Sequence, residues 1–419
     1  MRTTLSIQDD KFLINGKLTY SEYPNCPKEY HGRLMNARFI QGVFDDKSDV
    51  KRFDRFGKVF SAEKNTDDLI HALPKWYEVG LRAFTVGFQG GGTCYTIDSN
   101  TIDNNAFSTD GMLLDSEYLN RMKRIIMAAD EIGMVVIVSL FYGFQVRHFA
   151  DDRAVMQAVK TASNWLRDEA FTNVMIEIAN EQDIEPYQMY PVLYDEKGIS
   201  QLLQIARRES GGIPVGCSTT DKYFSYEIAK QSDVILVHGN NMTRQEFYNY
   251  ISKAKSIKPL RPIVCNEDSQ ALSQMDVALD AGISWGYYNN MTKQEPPVDW
   301  GITKGEDAFF AMRLAERLGI EKIALPEEDQ FYLQGLEKDA SYDGKRWIRL
   351  ASIYPEKILK VDFYRNDEYF ITTYDDPFSI NFEFNWLQRA VEDVNPGERW
   401  KAVITLTDGK KIIKETVVE

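Results

Sequence analysis

Two apolar segments of the chain each end in an asparagine followed by a glutamate. The segment VMIEIA leads into Asn180-Glu181, and the segment RPIVC leads into Asn266-Glu267. A carboxylate is costly to bury unless it is paired or used in chemistry. Two opposed carboxylates can cleave a glycosidic bond, because one protonates the departing oxygen while the other attacks the anomeric carbon or activates water. Taken singly, each glutamate could instead cap a helix or form a salt bridge, but the repeated pattern predicts a catalytic pair.

Opposed glutamates require a fold that brings the ends of distant strands together. Eight segments before residue 290 are mostly apolar throughout, as strands buried on both faces are; they span 34–40, 81–88, 134–141, 173–179, 213–217, 233–238, 262–266 and 282–287. Amphipathic stretches, such as 115–133, 151–169 and 306–319, separate most of them and several end in glycine. This alternation predicts a (β/α)₈ TIM barrel, with a doubly wound open sheet as the alternative. In a barrel, Glu181 and Glu267 would face each other at the carboxyl ends of strands four and seven.

The hydrophobic pattern of the sequence changes near residue 321. We expect residues 1–320 to form the catalytic barrel, preceded by a β-hairpin that turns at Asn15-Gly16. Beyond that point the segments alternate or run apolar between turn residues, including Asp408-Gly409, and show no long helical period. Residues 321–419 are therefore predicted to form a small C-terminal β-sandwich domain. Because no low-complexity linker separates the two parts, we expect them to pack closely.

The composition argues against several classes of partner. The 419 residues include 63 acidic and 49 basic side chains, and the net charge of −14 repels nucleic acid. The longest apolar stretch is far shorter than the roughly 20 residues that a membrane span needs. The N-terminal MRTTLSIQDDKF lacks the pattern of a secretory leader, which predicts a cytoplasmic protein, or a secreted or periplasmic one if a leader has been removed.

Cysteine and histidine usage gives no sign of a metal or another cofactor, and we expect none. The four histidines show no H-x-H or H-E-x-x-H spacing. The four cysteines form no C-x-x-C pair and are predicted to be reduced, structural thiols; they are Cys26, Cys94, Cys217 and Cys265.

Further candidate site residues lie near the ends of the predicted strands. Arg38 stands inside an apolar strand and needs a buried acidic partner, for which Glu267 or Asp268 is available. His238 ends strand six and is predicted to contact the substrate or a glutamate, with a core histidine as the alternative. Gln89 offers an amide from a glycine-rich loop, and Tyr142 ends strand three, where an aromatic ring could pack in the core or lie against a sugar.

The order of a strand-four Asn-Glu pair, a strand-seven glutamate and a strand-eight tryptophan resembles clan A glycoside hydrolases, among them the family 5 cellulase-like barrels. The resemblance covers roughly residues 10–320. It implies that Glu181 is the acid/base and Glu267 the nucleophile, that Asn180 holds a sugar hydroxyl, and that Trp285 is a sugar platform. Longer pieces, such as NARFIQGVFDD, GLRAFTVGFQGGG and IVCNEDSQ, also look similar to uncharacterised bacterial glycoside hydrolases.

The resemblance implies a retaining glycoside hydrolase that cleaves O-glycosidic bonds by a two-glutamate double displacement. Its substrate would be an oligosaccharide, a polysaccharide or another glycoside. The strand-six His-x-Tyr of family 5 reads His238-Gly239-Asn240 here, so Asn240 replaces the tyrosine and the sugar subsite is expected to differ. We expect a short separation of the carboxyl groups, an ionised Glu267 and a protonated Glu181. The alternative is a carbohydrate-binding barrel protein that has lost catalysis.

Overall fold

The computed structural model describes residues 1–93, 96–221, 223–341, 344–380, 382–383, 386–387 and 393–419. Cys94 lies outside the described residues, as do Asn381 and Phe384 of the predicted FSINFEF strand segment. The three described cysteines are buried, free thiols.

The chain begins with a small antiparallel sheet. Its strands are β1 (Leu5–Gln8), β2 (Lys11–Ile14) and β3 (Lys17–Leu18). Asn15 and Gly16 join β2 to β3 with φ angles of 52° and 74°, in the left-handed region that a two-residue hairpin turn requires. The predicted hairpin is confirmed.

Eight strands follow among the described residues, one within or overlapping each predicted segment. They are β4 (Asn36–Arg38), β5 (Ala83–Gly87), β6 (Val135–Tyr142), β7 (Val174–Asn180), β8 (Val215–Gly216), β9 (Ile235–His238), β10 (Ile263–Glu267) and β11 (Gly286–Tyr287). They pair in parallel as a six-stranded sheet in the order β11-β4-β5-β6-β7-β8 and a two-stranded sheet of β10 and β9. Most side chains of these strands are buried, because helices cover the sheets.

Backbone hydrogen bonds also join the two parallel sheets to each other. The N–H of Asp233, just before β9, donates to the carbonyl oxygen of Val215 in β8 at 2.8 Å. On the other side, the Cys265 N–H in β10 donates to the Ser284 carbonyl at 3.0 Å, two residues before β11. The predicted mixed α/β class with parallel strands is confirmed.

The described part of the chain contains ten α-helices between and after these strands. They are α1 (Ala62–Glu78), α2 (Ser116–Ile132), α3 (Asp152–Asp168), α4 (Pro191–Tyr194), α5 (Glu196–Glu209), α6 (Tyr226–Gln231), α7 (Arg244–Lys255), α8 (Leu272–Asp280), α9 (Asn290–Lys293) and α10 (Glu306–Arg317). The predicted helices correspond to α2, α3 and α10. Among the described residues, none of the helices combines the length and apolar composition that crossing a bilayer requires.

Helix α2 shows how the sequence sets these boundaries. The Asp115 carboxylate accepts hydrogen bonds from the backbone N–H groups of Glu117 and Tyr118, which would otherwise lack partners. Met122 and Ile125 lie three residues apart on the face that is buried in the core. Gly133 ends the helix with φ 89°, a conformation that costs glycine little.

The C-terminal part of the chain is antiparallel β-structure. Its strands are β12 (Phe331–Gln334), β13 (Arg349–Ser352), β14 (Ile358–Arg365), β15 (Glu368–Thr373), β16 (Phe378–Ser379), β17 (Phe382–Glu383), β18 (Trp386–Leu387), β19 (Arg399–Leu406) and β20 (Lys411–Val417). They form sheets in the orders β12-β13-β16 and β15-β14-β19-β20, with β17 and β18 as a separate pair. Side chains of the first two sheets, among them Leu350, Phe363 and Trp400, belong to one apolar cluster. The change from α/β to β structure falls between Arg317 and Phe331, around the predicted boundary.

Polar contacts connect the C-terminal strands to the α/β part. Arg349 of β13 forms a buried salt bridge with Glu306, the first residue of α10, with Nε and Oε1 2.7 Å apart. At a second point, the backbone N–H of Ser273 in α8 donates to Asp376 Oδ2 at 2.9 Å. These contacts attach the C-terminal part to α10 and to the start of α8.

Candidate active site

The two predicted glutamates stand at the carboxyl ends of β7 and β10. Glu181 directly follows β7 and has a φ of 53°, and its N–H donates to Ser218 Oγ at 3.1 Å. In β10 the pairing register shifts between Cys265 and Glu267, so that Glu267 pairs with His238 at the end of β9. An irregularity of this kind re-aims a side chain at the end of a strand. The local backbone therefore sets the direction of both carboxylates.

His238 connects the two carboxylates. Its Nδ1 atom lies 3.0 Å from Glu181 Oε1 and 3.7 Å from Glu267 Oε2. One carboxylate oxygen of each glutamate and one imidazole nitrogen all lie within 4.8 Å of one another. The imidazole is fully buried, whereas the side chain of Glu181 is 21% exposed and that of Glu267 is 8% exposed. The structure therefore brings the three residues together, and Glu181 provides the most open side of the group.

Arg38 and Asn240 hold Glu267. Arg38 Nε lies 2.8 Å from Glu267 Oε2, and Asn240 Nδ2 donates to Glu267 Oε1 at 3.0 Å. Arg38 also donates from Nη2 to Asn180 Oδ1 at 2.7 Å, which fixes the orientation of that amide. Of the two acidic partners proposed for Arg38, the structure selects Glu267. Because Arg38 is only 2% exposed, it acts on the site through the residues that it holds.

The protonation of the three central residues follows from burial and from their mutual charges. Burial raises the pKa of the Glu181 carboxyl, but the hydrogen bond and charge of His238 outweigh it, so that pKa lies below its ordinary value. Burial also raises the pKa of Glu267, and the charges of Arg38 and His238 offset it only in part. Burial lowers the pKa of His238, but the charge of Glu267 and the contact with Glu181 raise it above the usual range. Both directions run against the expectation of a protonated Glu181 and an ionised Glu267, because His238 lowers the pKa of Glu181 and burial raises the pKa of Glu267.

Trp285 does not lie where a sugar platform would. The side chain is fully buried, and its Nε1 donates to Asp268 Oδ2 at 2.7 Å. Its ring packs against Phe310, with centroids 5.9 Å apart. A ring without an exposed face cannot stack on a sugar, so the role implied by the resemblance is corrected to a core residue that anchors Asp268.

Gln89 and Tyr142 are neighbours with different exposure. Gln89 is fully buried; its Nε2 donates to Asn105 Oδ1 at 3.0 Å, and its Oε1 accepts the Tyr142 N–H at 2.9 Å. Both ends of the amide are used within the protein, so the prediction that Gln89 contacts the substrate is wrong. The side chain instead connects the end of β5 to β6. Tyr142 is half-buried and pairs with Asn180 in the β6–β7 register, next to Glu181. It stays a candidate substrate contact.

A polar cluster behind the glutamates escaped the sequence analysis. Glu177, in the middle of β7, is fully buried, and its Oε1 accepts hydrogen bonds from Ser218 Oγ at 2.8 Å and from Asn266 Nδ2 at 2.9 Å. Ser218 also accepts the N–H of Glu181, so the cluster reaches the site directly. The signal in the sequence is a single carboxylate inside the apolar run VMIEIA, but its partners lie 41 and 89 residues away.

Glu181, His238 and Glu267 could together hold a metal ion, because each offers one ligand atom within 4.8 Å of the others. One imidazole and two carboxylates suit several divalent ions. The guanidinium of Arg38, 2.8 Å from Glu267, opposes a second positive charge at this point. The electrostatics therefore favour a proton rather than a divalent ion between these side chains.

Comparison with known proteins finds similarity only in the path of the backbone. No protein-family model matches the sequence, and no curated protein matches it. Among solved structures, the chain is similar to an endo-β-1,4-mannanase from Thermotoga petrophila, with a TM-score of 0.48, 10% identity and coverage of 93% of this chain and 98% of the other. A β-mannanase from the mussel Mytilus edulis gives a TM-score of 0.47 at 12% identity, covering 77% of this chain and 97% of the other.

A β-glucuronidase from Parabacteroides merdae gives a TM-score of 0.41 at 11% identity, covering 99% of this chain and 50% of the other. The chain thus spans about half the length of that protein. All three of these neighbours are glycoside hydrolases, the class that the sequence resembles. At these identities and TM-scores the likenesses carry no weight for the activity of this chain, which is inferred from its own side chains.

Proposed function

We propose that the protein is a retaining glycoside hydrolase. The observation that carries this proposal is the approach of Glu181 and Glu267 at the carboxyl ends of β7 and β10, where one oxygen of each lies within 4.8 Å of the other. Retaining enzymes place their carboxyl groups about 5–5.5 Å apart for direct attack, whereas inverting enzymes leave about 6.5–9.5 Å for a water molecule. The short approach supports the retaining mechanism.

We also infer that the two parallel sheets close into one (β/α)₈ barrel. The hydrogen bonds from Asp233 to Val215 and from Cys265 to Ser284 support this inference, since they join the sheets at both edges. The shared apolar cluster of the two larger C-terminal sheets likewise supports a β-sandwich. In a closed barrel β7 and β10 are three positions apart, so side chains at their ends face each other across the mouth.

Glu267 is the nucleophile in this proposal. The Arg38 guanidinium and the Asn240 amide hold both oxygens of its carboxylate, which fixes the direction of attack on the anomeric carbon. A bond forms between a carboxylate oxygen and that carbon while the bond to the leaving group breaks. The proximity of Arg38 favours the ionised form that attack requires, against the effect of burial.

The proton for the leaving group is shared by His238 and Glu181. In the free chain His238 competes for it, and the 3.0 Å contact lets it pass to Glu181 Oε1 as negative charge develops on the departing oxygen. In the second step the same pair accepts a proton from water. The resulting hydroxide attacks the anomeric carbon and releases Glu267, so the anomeric configuration is retained.

Asn180 and Tyr142 are proposed to contact the sugar. Arg38 holds the Asn180 oxygen at 2.7 Å, an arrangement that leaves the amide nitrogen as the group to donate to a sugar hydroxyl. The half-buried ring of Tyr142 lies beside it on β6 and can cover an apolar sugar face.

A panel of nitrophenyl α- and β-glycosides tests the proposal, with release of nitrophenol as the readout. On the best substrate we expect Glu267→Gln to lose at least 1,000-fold in kcat/KM, while its melting temperature stays near that of the parent. Activity should survive dialysis against EDTA, since no step needs a metal. Binding of glycans without hydrolysis of any substrate would instead favour the non-catalytic carbohydrate-binding barrel.

A further inference from the structure

The two candidate catalytic glutamates project from irregular points of the backbone. Glu181 has a φ of 53°, in the left-handed region that strains any residue with a side chain. In β10 the pairing with β9 skips Asn266, which bulges from the ladder directly before Glu267. Irregular backbone of this kind persists only where the surrounding structure holds it in place. Contacts beneath each glutamate are therefore needed to keep its direction.

One buried carboxylate lies beneath Glu181. Glu177 stands four residues earlier in β7 and is fully buried. The Ser218 hydroxyl donates to Glu177 Oε1 at 2.8 Å, a closer acceptor than the Ala179 carbonyl at 3.4 Å. Because a hydroxyl has only one proton to donate, the Ser218 oxygen is left to accept the N–H of Glu181 at 3.1 Å. Glu177 thus holds the strained residue through Ser218.

The same carboxylate oxygen also holds the bulge before Glu267. Asn266 Nδ2 donates to Glu177 Oε1 at 2.9 Å. Strands β7 and β10 belong to different parallel sheets, so this hydrogen bond crosses from one sheet to the other. It ties the bulged residue to the strand that carries Glu181.

The position of Glu177 in the strand gives no other reason for a charged side chain. An apolar residue would match its neighbours in β7, whereas a buried carboxylate is costly unless it is paired or used. Arg38 supplies the opposite charge: burial lowers the pKa of Arg38, but the charges of Glu267 and then of Glu177 raise it above its ordinary value. Glu177 is therefore connected to the site by charge as well as by hydrogen bonds.

We propose that Glu177 is a positioning residue of the site, which fixes the backbone beneath Glu181 and Glu267 and thereby sets the short approach of their carboxylates. This inference rests on the proposed function and adds to it a residue that has no contact with the substrate.

Two substitutions in the full-length chain separate the hydrogen bonds of Glu177 from its charge. Glu177→Gln keeps an oxygen that can accept from both Ser218 and Asn266, because both bonds go to Oε1. The other oxygen, Oε2, accepts no hydrogen bond from a described residue, so an amide nitrogen in its place breaks none. Glu177→Met keeps the length of the side chain but removes the acceptor.

Asn173→Leu is the matched control for loss of stability. Asn173 directly precedes β7, at the end of the strand remote from Glu181, and is fully buried. Its Nδ2 donates two hydrogen bonds, to backbone carbonyl groups at 3.0 and 3.1 Å. Its replacement therefore removes as many buried hydrogen bonds from the same strand as Glu177→Met does.

Two measurements are made on each variant, well below its melting temperature. The first is kcat and KM on the best nitrophenyl glycoside of the panel. The second is deuterium exchange, resolved by fragment mass spectrometry, at the amides of Glu181 and Gly239. The Glu181 amide donates to Ser218, and the Gly239 amide donates to the Glu267 carbonyl at 2.9 Å, so the two report on both strand ends whatever the activity.

Glu177→Met should lose about 100-fold in kcat, the effect of misplacing a reacting group by roughly 1 Å, with KM changed by less than about threefold. Exchange at both amides should become faster. Glu177→Gln should keep kcat within about fivefold of the parent and leave exchange unchanged, because the bridging oxygen is retained. Asn173→Leu should lower the melting temperature without a comparable loss of kcat.

Ser218→Ala keeps the inference testable if Glu177→Met does not fold. It removes only the link to Glu181, so exchange at the Glu181 amide should become faster while that at Gly239 stays the same. The loss in kcat/KM should be about 10-fold for glycosides with poor leaving groups and smaller for dinitrophenyl glycosides, which need little protonation.

The inference would be overturned by a parental kcat in Glu177→Met or by an equal loss of kcat in Asn173→Leu. It would also be overturned if Glu177→Gln were as impaired as Glu177→Met, or if exchange at the Glu181 amide were unchanged in Glu177→Met and Ser218→Ala. A parent chain that hydrolyses no glycoside, but in which Glu177→Met speeds exchange at both amides and Glu177→Gln does not, would remove the proposed function and leave the positioning role standing.

Discussion

The proton between His238 and Glu181 determines how each carboxylate can act. The hydrogen bond and charge of His238 lower the pKa of Glu181 in the free chain, whereas burial raises the pKa of Glu267 more than the charges of Arg38 and His238 lower it. The two glutamates therefore differ in their partners rather than in their burial alone. In the proposed mechanism, the glutamate beside the titratable His238 is the acid/base and the glutamate beside the permanent cation Arg38 is the nucleophile.

Replacement of Glu181 by alanine should affect substrates according to their leaving groups. Substrates that need protonation of the departing oxygen should lose about 100- to 10,000-fold in kcat/KM, the usual contribution of general acid catalysis. Dinitrophenyl glycosides, which need little protonation, should lose far less. Azide should then restore turnover and yield a glycosyl azide, because a small anion fits the space of the lost side chain and attacks the glycosyl-enzyme. An equal loss for good and poor leaving groups would remove Glu181 from the acid/base role.

Replacement of Arg38 by glutamine should move the acidic limb of the pH profile. Burial raises the pKa of Glu267 and the charge of Arg38 lowers it, so loss of that charge raises the pKa further. Attack needs the ionised carboxylate, and the acidic limb of kcat/KM should therefore shift upward by about one pH unit or more. Arg33→Gln is the control, because Arg33 pairs with Asp10 in the N-terminal hairpin. A limb that stays in place or shifts downward in Arg38→Gln would contradict the ion pair.

Much of the site could be predicted from residue types at strand ends. Glu181, Glu267, His238 and the pairing of Arg38 all follow from polar residues that interrupt or end apolar segments. The burial of Trp285 could not be predicted in this way, because it depends on Asp268 and on Phe310 of α10. A motif fixes the position of a residue along the chain but not the direction of its side chain.

At the scale of elements, the eight parallel strands were predictable because strands buried on both faces are apolar throughout. The register shift in β10 was not, since it arises from the pairing of β10 with β9 rather than from a local pattern. The short length of β8 and β11 was not predictable from the local pattern either. Both strands have two residues, and both contain a glycine, Gly216 or Gly286.

Alanine at Gly216 or Gly286 tests whether the two parallel sheets join. A Cβ atom at Gly216 would lie 2.4 Å from the Val234 carbonyl oxygen, and one at Gly286 would lie 2.6 Å from the Cys265 carbonyl oxygen. Because these contacts are with backbone atoms, each substitution should lower the free energy of unfolding by about 1–3 kcal/mol in urea denaturation. Gly301→Ala is the control, since its nearest neighbour would be Asp299 Oδ1 at 3.4 Å. Equal stability of all three variants would contradict the close approach of the sheets.

At the scale of the whole molecule, the buried pair of Arg349 and Glu306 couples the C-terminal strands to α10. Both side chains are 4% exposed, and two hydrogen bonds of 2.7 Å connect them. The close packing of the two parts was predictable from the lack of a linker. The residues at their contact were not, because the pair spans 43 positions and neither residue lies in a distinctive motif.

Arg349→Met should destabilise the protein more than the double variant Arg349→Met with Glu306→Leu. The single substitution leaves a buried carboxylate without its cation, which costs about 3–5 kcal/mol, whereas replacing both partners by apolar residues is often close to neutral. Thermal unfolding of the two variants and the parent measures the difference. If the double variant were the less stable of the two, the ion pair would not be the coupling between the two parts.

The covalent intermediate provides the most direct test of the central claim. A 2-deoxy-2-fluoro glycoside with a dinitrophenyl leaving group, matched to the best substrate of the panel, should inactivate the enzyme with release of one equivalent of dinitrophenol. Peptide mass spectrometry should then find the sugar ester on Glu267 and on no other residue, and Glu267→Gln should not be labelled. Hydrolysis of the natural bond without labelling, with the anomeric configuration of the product inverted, would contradict the account, as would a label on Glu181.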